Sequence, residues 1–145
     1  MVSAERVVRS TCPYCGVGCQ VDLHVRDGSI LRTTAPFEAA PNYGMLCVKG
    51  RFGMDYTTHP GRLTKPLLRA NVDEPRHRPA VWREASWDEA LDFVTARLGS
   101  IIEAHGPDSA AGFACAKATN EDNYLLQKLF RAVIGTNNVD HCARL

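Results

Sequence analysis

Four of the six cysteines of this 145-residue chain lie in its first third, and their spacing is the strongest constraint on what the chain can form. The stretch "STCPYCGVGCQ" places Cys12, Cys15 and Cys19 in one loop, and Cys47 follows after 27 intervening residues in "GMLCVKGRFG". Three thiolates from a tight loop and a fourth from a distant segment can hold a [4Fe-4S] cluster, because the cluster is large enough to need ligands at different corners.

The composition of the loop supports this interpretation. Gly16 and Gly18 let the backbone curl around a cluster and direct N–H groups at its sulfurs. Zinc is the alternative, but structural zinc sites usually join two pairs of closely spaced cysteines, whereas the nearest cysteine after Cys47 is Cys115. The pattern therefore favours a cluster over zinc, and a purely structural role for all four cysteines is favoured least.

The composition argues against several classes of partner. A net charge of +1, with Lys and Arg scattered along the chain, argues against a nucleic-acid-binding protein. The sequence contains no uninterrupted run of about 18 apolar residues, so no membrane span is predicted. The opening "MVSAERVVRSTC" lacks the apolar core of about 7 to 15 residues that an export signal has, and we expect a cytoplasmic protein.

The segment between the third and fourth cysteines predicts a β-hairpin. In "CQVDLHVRDGSILRTTAP", apolar and polar residues alternate up to an Asp-Gly turn. Such a hairpin carries the chain out and back, which would return Cys47 to the loop. We expect residues 1–58 to form a small β-rich cluster domain, and residues 59–84, where prolines recur, to form an extended connector.

The remaining residues, 85–145, predict the beginning of an α/β domain. A helix is expected after Ser86, with Gly106 as its exit, and its apolar face needs a partner. A short buried strand over 109–115, a second helix over 119–135 and a strand or loop in "NNVDHCARL" follow. Helix, strand, helix and strand in this order favour an α/β layer with a parallel sheet, of which the chain supplies about two strands.

The motifs "TCPYCGVGC", "GMLCVKGRFGMDY", "HPGRLTKPLLR", "SWDEALDFV" and "TNEDNYLLQKLFRAVIGTNNVDHCARL" resemble, in this order, the molybdopterin oxidoreductases, most closely the catalytic subunits of formate dehydrogenases. The resemblance implies a large multidomain α/β enzyme of which these residues are a small fraction. It implies a [4Fe-4S] cluster, and molybdenum or tungsten on two pterin guanine dinucleotides. It also implies reversible oxidation of formate to carbon dioxide, with electrons leaving through the cluster to electron-transfer subunits.

The resemblance also assigns roles to individual residues. Lys49 matches the family lysine between cluster and pterin, where a cation can assist electron transfer. Lys117 and Asn120 match positions near the pterin, although Asn120 could instead cap its helix. Cys115 and Cys142 have no ligand role by this match, and we expect both to be small buried residues. The implied cluster ligands are Cys12, Cys15, Cys19 and Cys47.

The family pattern places the molybdenum or tungsten ligand, a cysteine or selenocysteine, directly after the segment that matches "HCARL", followed by a histidine that takes part in formate oxidation. No catalytic residue is therefore expected up to Leu145, and His141 is not that histidine. Because UGA encodes selenocysteine, our hypothesis is that a UGA codon after Leu145 was read as a stop. A nitrate or other oxyanion reductase, a stand-alone iron-sulfur electron carrier and a zinc-binding interaction module remain alternatives.

Overall fold

The computed structural model describes residues 4–75 and 77–142, which form two compact units. One unit combines the residues up to Arg62 with those from Ala111 onward, and the other is Leu63–Ala110. Helices and strands are mixed, as an α/β class predicts. The predicted domain boundaries at residues 58 and 84 concern the domains of the whole protein and stay predictions.

The first unit begins with a three-stranded antiparallel sheet in the order β1 (Arg6–Thr11), β2 (Gln20–Arg26) and β3 (Ser29–Thr34). Asp27 and Gly28 join β2 to β3 with φ angles of 49° and 78°. Positive φ at both central residues is the two-residue hairpin turn that the Asp-Gly pair favours. The predicted hairpin is thus confirmed.

Strand β1 was not predicted from the sequence. Its sequence, "RVVRST", lacks the alternation of apolar and polar residues that marks a half-buried strand. In the structure all six of its residues are exposed. Its pairing with β2 fixes its position, since Thr11 lies opposite Gln20. The loop that carries three cysteines therefore connects two neighbouring strands at one end of the sheet.

A small core lies beneath this sheet. It consists of Cys12, Val21 and Met54, which are 5%, 1% and 6% exposed. One of the predicted cluster ligands is thus part of the core. Partly buried residues that pack against the core are Tyr14, Cys19, Leu23, Ile30 and Leu46.

Two short helical segments follow Cys47. Helix α1 spans Val48–Phe52, and a 3-10 turn spans Gly53–Thr57. Gly50 of α1 is buried, and α1 lies against β3. The chain that follows the hairpin therefore packs back against the sheet.

A parallel strand pair completes the first unit. Strand β6 (Gly112–Cys115) pairs in register with β7 (Val139–Cys142), which confirms the predicted parallel arrangement. The last three residues of "NNVDHCARL", 143–145, lie outside the described residues. Helix α3 (Asn120–Lys128) connects the strands and continues as a π-helical segment over Leu129–Ile134, which the sequence did not predict.

Strand β6 does not match the predicted buried strand over 109–115. It is shorter, and the Phe113 side chain is 80% exposed. Only the face of Gly112 is covered: a Cβ there would lie 2.6 Å from the ring of Phe130. The prediction of burial is wrong because a two-stranded pair with one helix covers one face only.

The second unit contains a hairpin and a long helix. Strand β4 (Leu67–Arg69) pairs antiparallel with β5 (Trp82–Glu84), so the predicted connector includes regular structure. Helix α2 (Trp87–His105) begins where predicted, because Ser86 Oγ accepts a hydrogen bond from the Glu89 N–H at 3.1 Å.

Helix α2 ends where predicted, at Gly106, whose φ is 81°. A short 3-10 turn over Pro107–Ser109 follows it. Every residue of α2 is at least partly exposed, as expected for an apolar face that needs a partner. Across residues 4–75 and 77–142, none of the helices has the length and apolar composition that crossing a membrane requires.

Candidate iron-sulfur centre

The cysteine loop is closed by its own backbone. The N–H of Cys12 donates to the carbonyl of Cys19 at 2.8 Å, directly after β1 and directly before β2. Gly18 has a φ of 73°, a conformation that residues with a Cβ rarely adopt. The sheet thus fixes both ends of the loop, and a glycine provides its turn.

The segment that carries Cys47 is held to the sheet by Thr33. The buried Thr33 hydroxyl lies 2.7 Å from the carbonyl oxygens of both Gly50 and Arg51, to which it donates its hydrogen. These carbonyls belong to α1, which begins directly after Cys47. A β3 side chain therefore sets the position of the fourth cysteine.

Asn42 makes a second connection between the two cysteine segments. Its Oδ1 accepts from the Gln20 N–H at 2.7 Å, and its Nδ2 donates to the carbonyls of Gln20 and Met45 at 3.0 and 2.8 Å. Gln20 follows Cys19 in the chain, and Met45 comes two residues before Cys47. One amide therefore joins the end of the loop to the approach to the fourth cysteine.

The four cysteines line a common cavity of about 480 Å³. Within residues 4–75 and 77–142, no three metal-binding side chains are close enough to share a single ion. A cavity of this volume surrounded by four thiols fits a multi-iron cluster, whose ligands attach at separate corners. The residues that line it are Cys12, Tyr14, Cys15, Gly16, Val17, Cys19, Leu46, Cys47, Lys49, Gly50, Ala116 and Lys117.

The thiols influence one another electrostatically. Burial is the largest cause that raises the pKa of Cys19, and the neighbouring Cys12, Cys15 and Cys47 raise it further. An iron-bound thiolate relieves both costs, because the bound metal neutralises its charge. These four sulfurs thus form a site suited to cations.

Cys47 differs from the other three cysteines. Hydrogen bonds from the backbone N–H groups of Gly50 and then Lys49 lower its pKa, and the positive charge of Lys49 adds to the effect. These interactions favour its thiolate form relative to that of an ordinary cysteine. Lys49, which the family resemblance predicts to lie between cluster and pterin, lines the same cavity.

Two glycines allow close approach around the cavity. A Cβ on Gly50 would lie 3.4 Å from Cys12 Sγ, and a Cβ on Gly16 would lie 2.7 Å from Asn120 Oδ1. Asn120 Nδ2 also donates to the carbonyl of Gly16 at 2.8 Å. The start of α3 is thereby connected to the cysteine loop across 104 positions of sequence.

The structure locates the other predicted site residues as follows. Lys117 lies at the cluster cavity, together with Lys49. Asn120 is not the helix cap, because Thr119 occupies that position and its Oγ1 accepts from the Asp122 N–H at 3.2 Å. The roles of Lys49, Lys117 and Asn120 toward a pterin, and of the four cysteines as ligands, stay predictions.

Cys115 and Cys142 do not occupy the buried positions expected for them. Cys115 is half-buried and Cys142 is exposed, because both belong to the parallel strand pair, which is covered on one face only. The expectation of burial is wrong for both residues.

Sequence reasoning missed three residues that build the site. Tyr14 donates its hydroxyl hydrogen to the carbonyl of Gly53, while Thr33 and Asn42 tether the fourth cysteine. Asn42 stands in "PNYG", a composition typical of turns that could have drawn attention to it. Thr33 and Tyr14 have no comparable signal, because their partners are backbone carbonyls distant in sequence.

Comparison with known families agrees with this geometry. Residues 5–59 match the family described as the molybdopterin oxidoreductase Fe4S4 domain, and residues 62–145 match the family described as molybdopterin oxidoreductase. The chain belongs to the molybdopterin oxidoreductases. Its cofactors are those of the family, a [4Fe-4S] cluster and molybdopterin.

Similar curated proteins include the F420-dependent formate dehydrogenase 2 subunit alpha of Methanococcus maripaludis, 44% identical over 141 residues. A probable oxidoreductase, YjgC, of Bacillus subtilis is 46% identical, and a putative formate dehydrogenase of Staphylococcus aureus is 43% identical, each over 142 residues. Each alignment covers 97% of this chain, but only 19%, 14% and 14% of the respective relatives. The chain thus spans less than a fifth of the length of these relatives.

Proposed function

We propose that the chain belongs to a formate dehydrogenase that oxidises formate reversibly to carbon dioxide, and that Cys12, Cys15, Cys19 and Cys47 hold its [4Fe-4S] cluster. The observation that carries the proposal is that these four thiols line one cavity together with Lys49 and Lys117. The names of the similar proteins from Methanococcus maripaludis and Staphylococcus aureus support formate as substrate.

The residues around the cavity have separable tasks. When bound, the cluster accepts and releases single electrons. Lys49 and Lys117 provide positive charge at a site whose four thiolates are negative, which favours an added electron. Tyr14 and Val17 form part of the cavity wall, and the exposure of such a centre to water is one factor that sets its potential.

The larger protein would supply what these residues do not. We propose that it holds molybdenum or tungsten on two molybdopterin guanine dinucleotides, and that Lys49 and Lys117 lie on the side of the cluster that faces a pterin. We also propose a cytoplasmic location and electron-transfer subunits as partners. The match of residues 62–145 to the molybdopterin oxidoreductases favours this proposal over a stand-alone iron-sulfur carrier.

Metal analysis tests the ligand assignment. The protein, purified without oxygen, should contain about four iron atoms and about four acid-labile sulfides per chain. Cys47→Ser should lose most of both. Cys115→Ser is the matched control, since Cys115 lies outside the cavity lining, and it should retain the iron and sulfide of the unchanged protein. Zinc without sulfide, or equal loss in both variants, would contradict the assignment.

Activity tests the substrate. The protein as produced from its own gene, with its pterin and metal bound, should transfer electrons from formate to a low-potential dye. Reduction of nitrate without oxidation of formate would show that the protein is an oxyanion reductase and not a formate dehydrogenase. The assignment of the cluster ligands would be unaffected.

A further inference from the structure

Two cysteines outside the cluster cavity lie in contact with each other. Cys115 on β6 is the register partner of Cys142 on β7, and their sulfur atoms are 3.7 Å apart. Neighbouring strands are about 4.8 Å apart, which is within the range of Cα separations that a disulfide spans. Both side chains point to the same face of the strand pair, since register partners in a sheet do.

We propose that Cys115 and Cys142 are a reversible dithiol–disulfide site that reacts with low-molecular-weight disulfides. The geometry that carries the proposal is the contact between the two sulfurs across paired strands. Bond formation needs rotation of the side chains and no shift of strand register.

The reaction balances as thiol–disulfide exchange. The thiolate of Cys142 attacks one sulfur of the small disulfide, which breaks its S–S bond, forms a mixed disulfide and releases one small thiolate. Cys115, after loss of its proton to solvent, attacks the Cys142 sulfur and releases the second small thiolate. The protein loses two protons and two electrons in total, and the small disulfide gains them to become two thiols.

The environments of the two cysteines indicate which of them attacks the small disulfide first. Cys142 is the more exposed sulfur, and a backbone N–H from Ala116 is the largest cause that lowers its pKa, with Cys115 and the charge of Lys117 adding to it. Cys115 Sγ accepts the Lys117 N–H at 3.4 Å. Cys142 is therefore the attacking thiol and Cys115 the resolving one.

The backbone of Cys115 is held in place before any bond forms. Asn123 Oδ1 accepts from its N–H at 3.3 Å, and Asn123 Nδ2 donates to its carbonyl at 3.2 Å. A fixed backbone keeps the resolving sulfur beside its partner, which favours closure to the disulfide over a lasting mixed disulfide.

A disulfide between Cys115 and Cys142 would lie next to residues that line the cluster cavity. Ala116 and Lys117 line the cluster cavity, and Cys115 directly precedes them. A disulfide at Cys115 would restrict the segment that places Lys117 at that cavity. The redox state of small thiols would thereby act on a wall of the cluster site.

Peptide mapping tests the proposal. The protein as produced from its own gene is purified without oxygen, treated with oxidised glutathione, blocked with iodoacetamide and digested with trypsin. The expected product joins peptides 98–117 and 132–144, which carry one cysteine each. The cluster cysteines lie in the separate peptides 10–26 and 33–49. Any disulfide or glutathione adduct formed by these cysteines would therefore be detected in different peptides.

Matched variants test the order of attack. Cys115→Ala should stop at a glutathione adduct on Cys142, and Cys142→Ala should form its adduct on Cys115 more slowly. Dithiothreitol should reverse the linkage, and iron content should remain unchanged throughout. The proposal is overturned if both cysteines remain alkylatable after treatment, if neither reacts with either reagent, or if linkage appears only after iron is lost.

Discussion

The N-terminal region, residues 4–62, and the helices α2 and α3 differ in how they bury apolar side chains. The N-terminal region surrounds a core in which Val21 is 1% exposed. By contrast, α2 leaves Leu91 and Val94 more than half exposed, and α3 does the same with Leu125. The N-terminal region therefore has a small core of its own, whereas neither α2 nor α3 has a fully buried residue.

The comparison shows where the cysteine site obtains its stability. Cys12 belongs to the core itself, and Thr33 and Asn42 tie the Cys47 segment to the sheet. The site therefore depends on the N-terminal region, and it depends on α3 mainly through the Asn120 contact with Gly16. Substitutions in the two regions should differ accordingly.

The largest effect should come from placing one charge in each region. Val21→Asp buries an unpaired carboxylate and should lower the free energy of unfolding by about 3 to 5 kcal/mol. Val94→Asp, at a position 54% exposed in the middle of α2, should change it by about 0.5 kcal/mol or less. Denaturant unfolding, followed by far-UV circular dichroism, measures both.

The same two variants can contradict the proposed difference in packing between the two regions. If Val94→Asp destabilises the protein as much as Val21→Asp, α2 is packed as firmly as the sheet. Retained iron in Val21→Asp would show that the cysteine site does not depend on the core beneath the sheet.

Much of the N-terminal region could be predicted because its signals are local. The Asp-Gly pair fixes the hairpin turn, and the spacing of Cys12, Cys15 and Cys19 fixes a common loop. Ser86 and Gly106 likewise mark the ends of α2 through hydrogen bonds made within a single turn. Local chemistry of this kind is visible in a single sequence.

The parts that could not be predicted depend on partners distant in sequence. Strand β1 exists because β2 pairs with it, although its own residues are all exposed. Thr33, Asn42 and Asn120 act on backbone carbonyls 17, 22 and 104 positions away.

An intermediate effect should come from the contact between Gly16 in the N-terminal region and Asn120 at the start of α3. Gly16→Ala places a Cβ 2.7 Å from Asn120 Oδ1, so the amide must move and its hydrogen bond to the Gly16 carbonyl is lost. The expected cost is about 1 kcal/mol, together with faster loss of iron to a chelator. Asn120→Ala should cost a similar amount.

The double variant sharpens this test. Once Asn120 is alanine, the clash is gone, so Gly16→Ala should cost little more in that background, and the two effects should not add. Additive losses would show that Gly16 and Asn120 act separately, and that the cysteine loop is independent of α3.

The smallest effect should come from removing the charge of one carboxylate in each region, Glu5 in the N-terminal region and Glu89 in α2. A hydrogen bond from His24, whose Nδ1 lies 2.5 Å from Glu5 Oε1, is the largest cause that lowers the pKa of Glu5 from 4.5, and Arg32 adds to it. The hydrogen bond from Arg83 likewise lowers the pKa of Glu89 beside α2. Because the folded pKa lies below the unfolded one, both carboxylates stabilise the fold above pH 4.5 and lose this effect as pH falls below it.

Thermal midpoints between neutral pH and pH 3.5 test both groups, with iron removed from every sample so that acid loss of a cluster does not contribute. Glu5→Gln should flatten the acid decline more than Glu89→Gln, because His24 is mostly buried whereas Arg83 and Glu89 are both about half exposed. The opposite order would mean that the ion pair beside α2 is better shielded from water than the pair at the sheet, and the contrast in packing would not extend to charged groups.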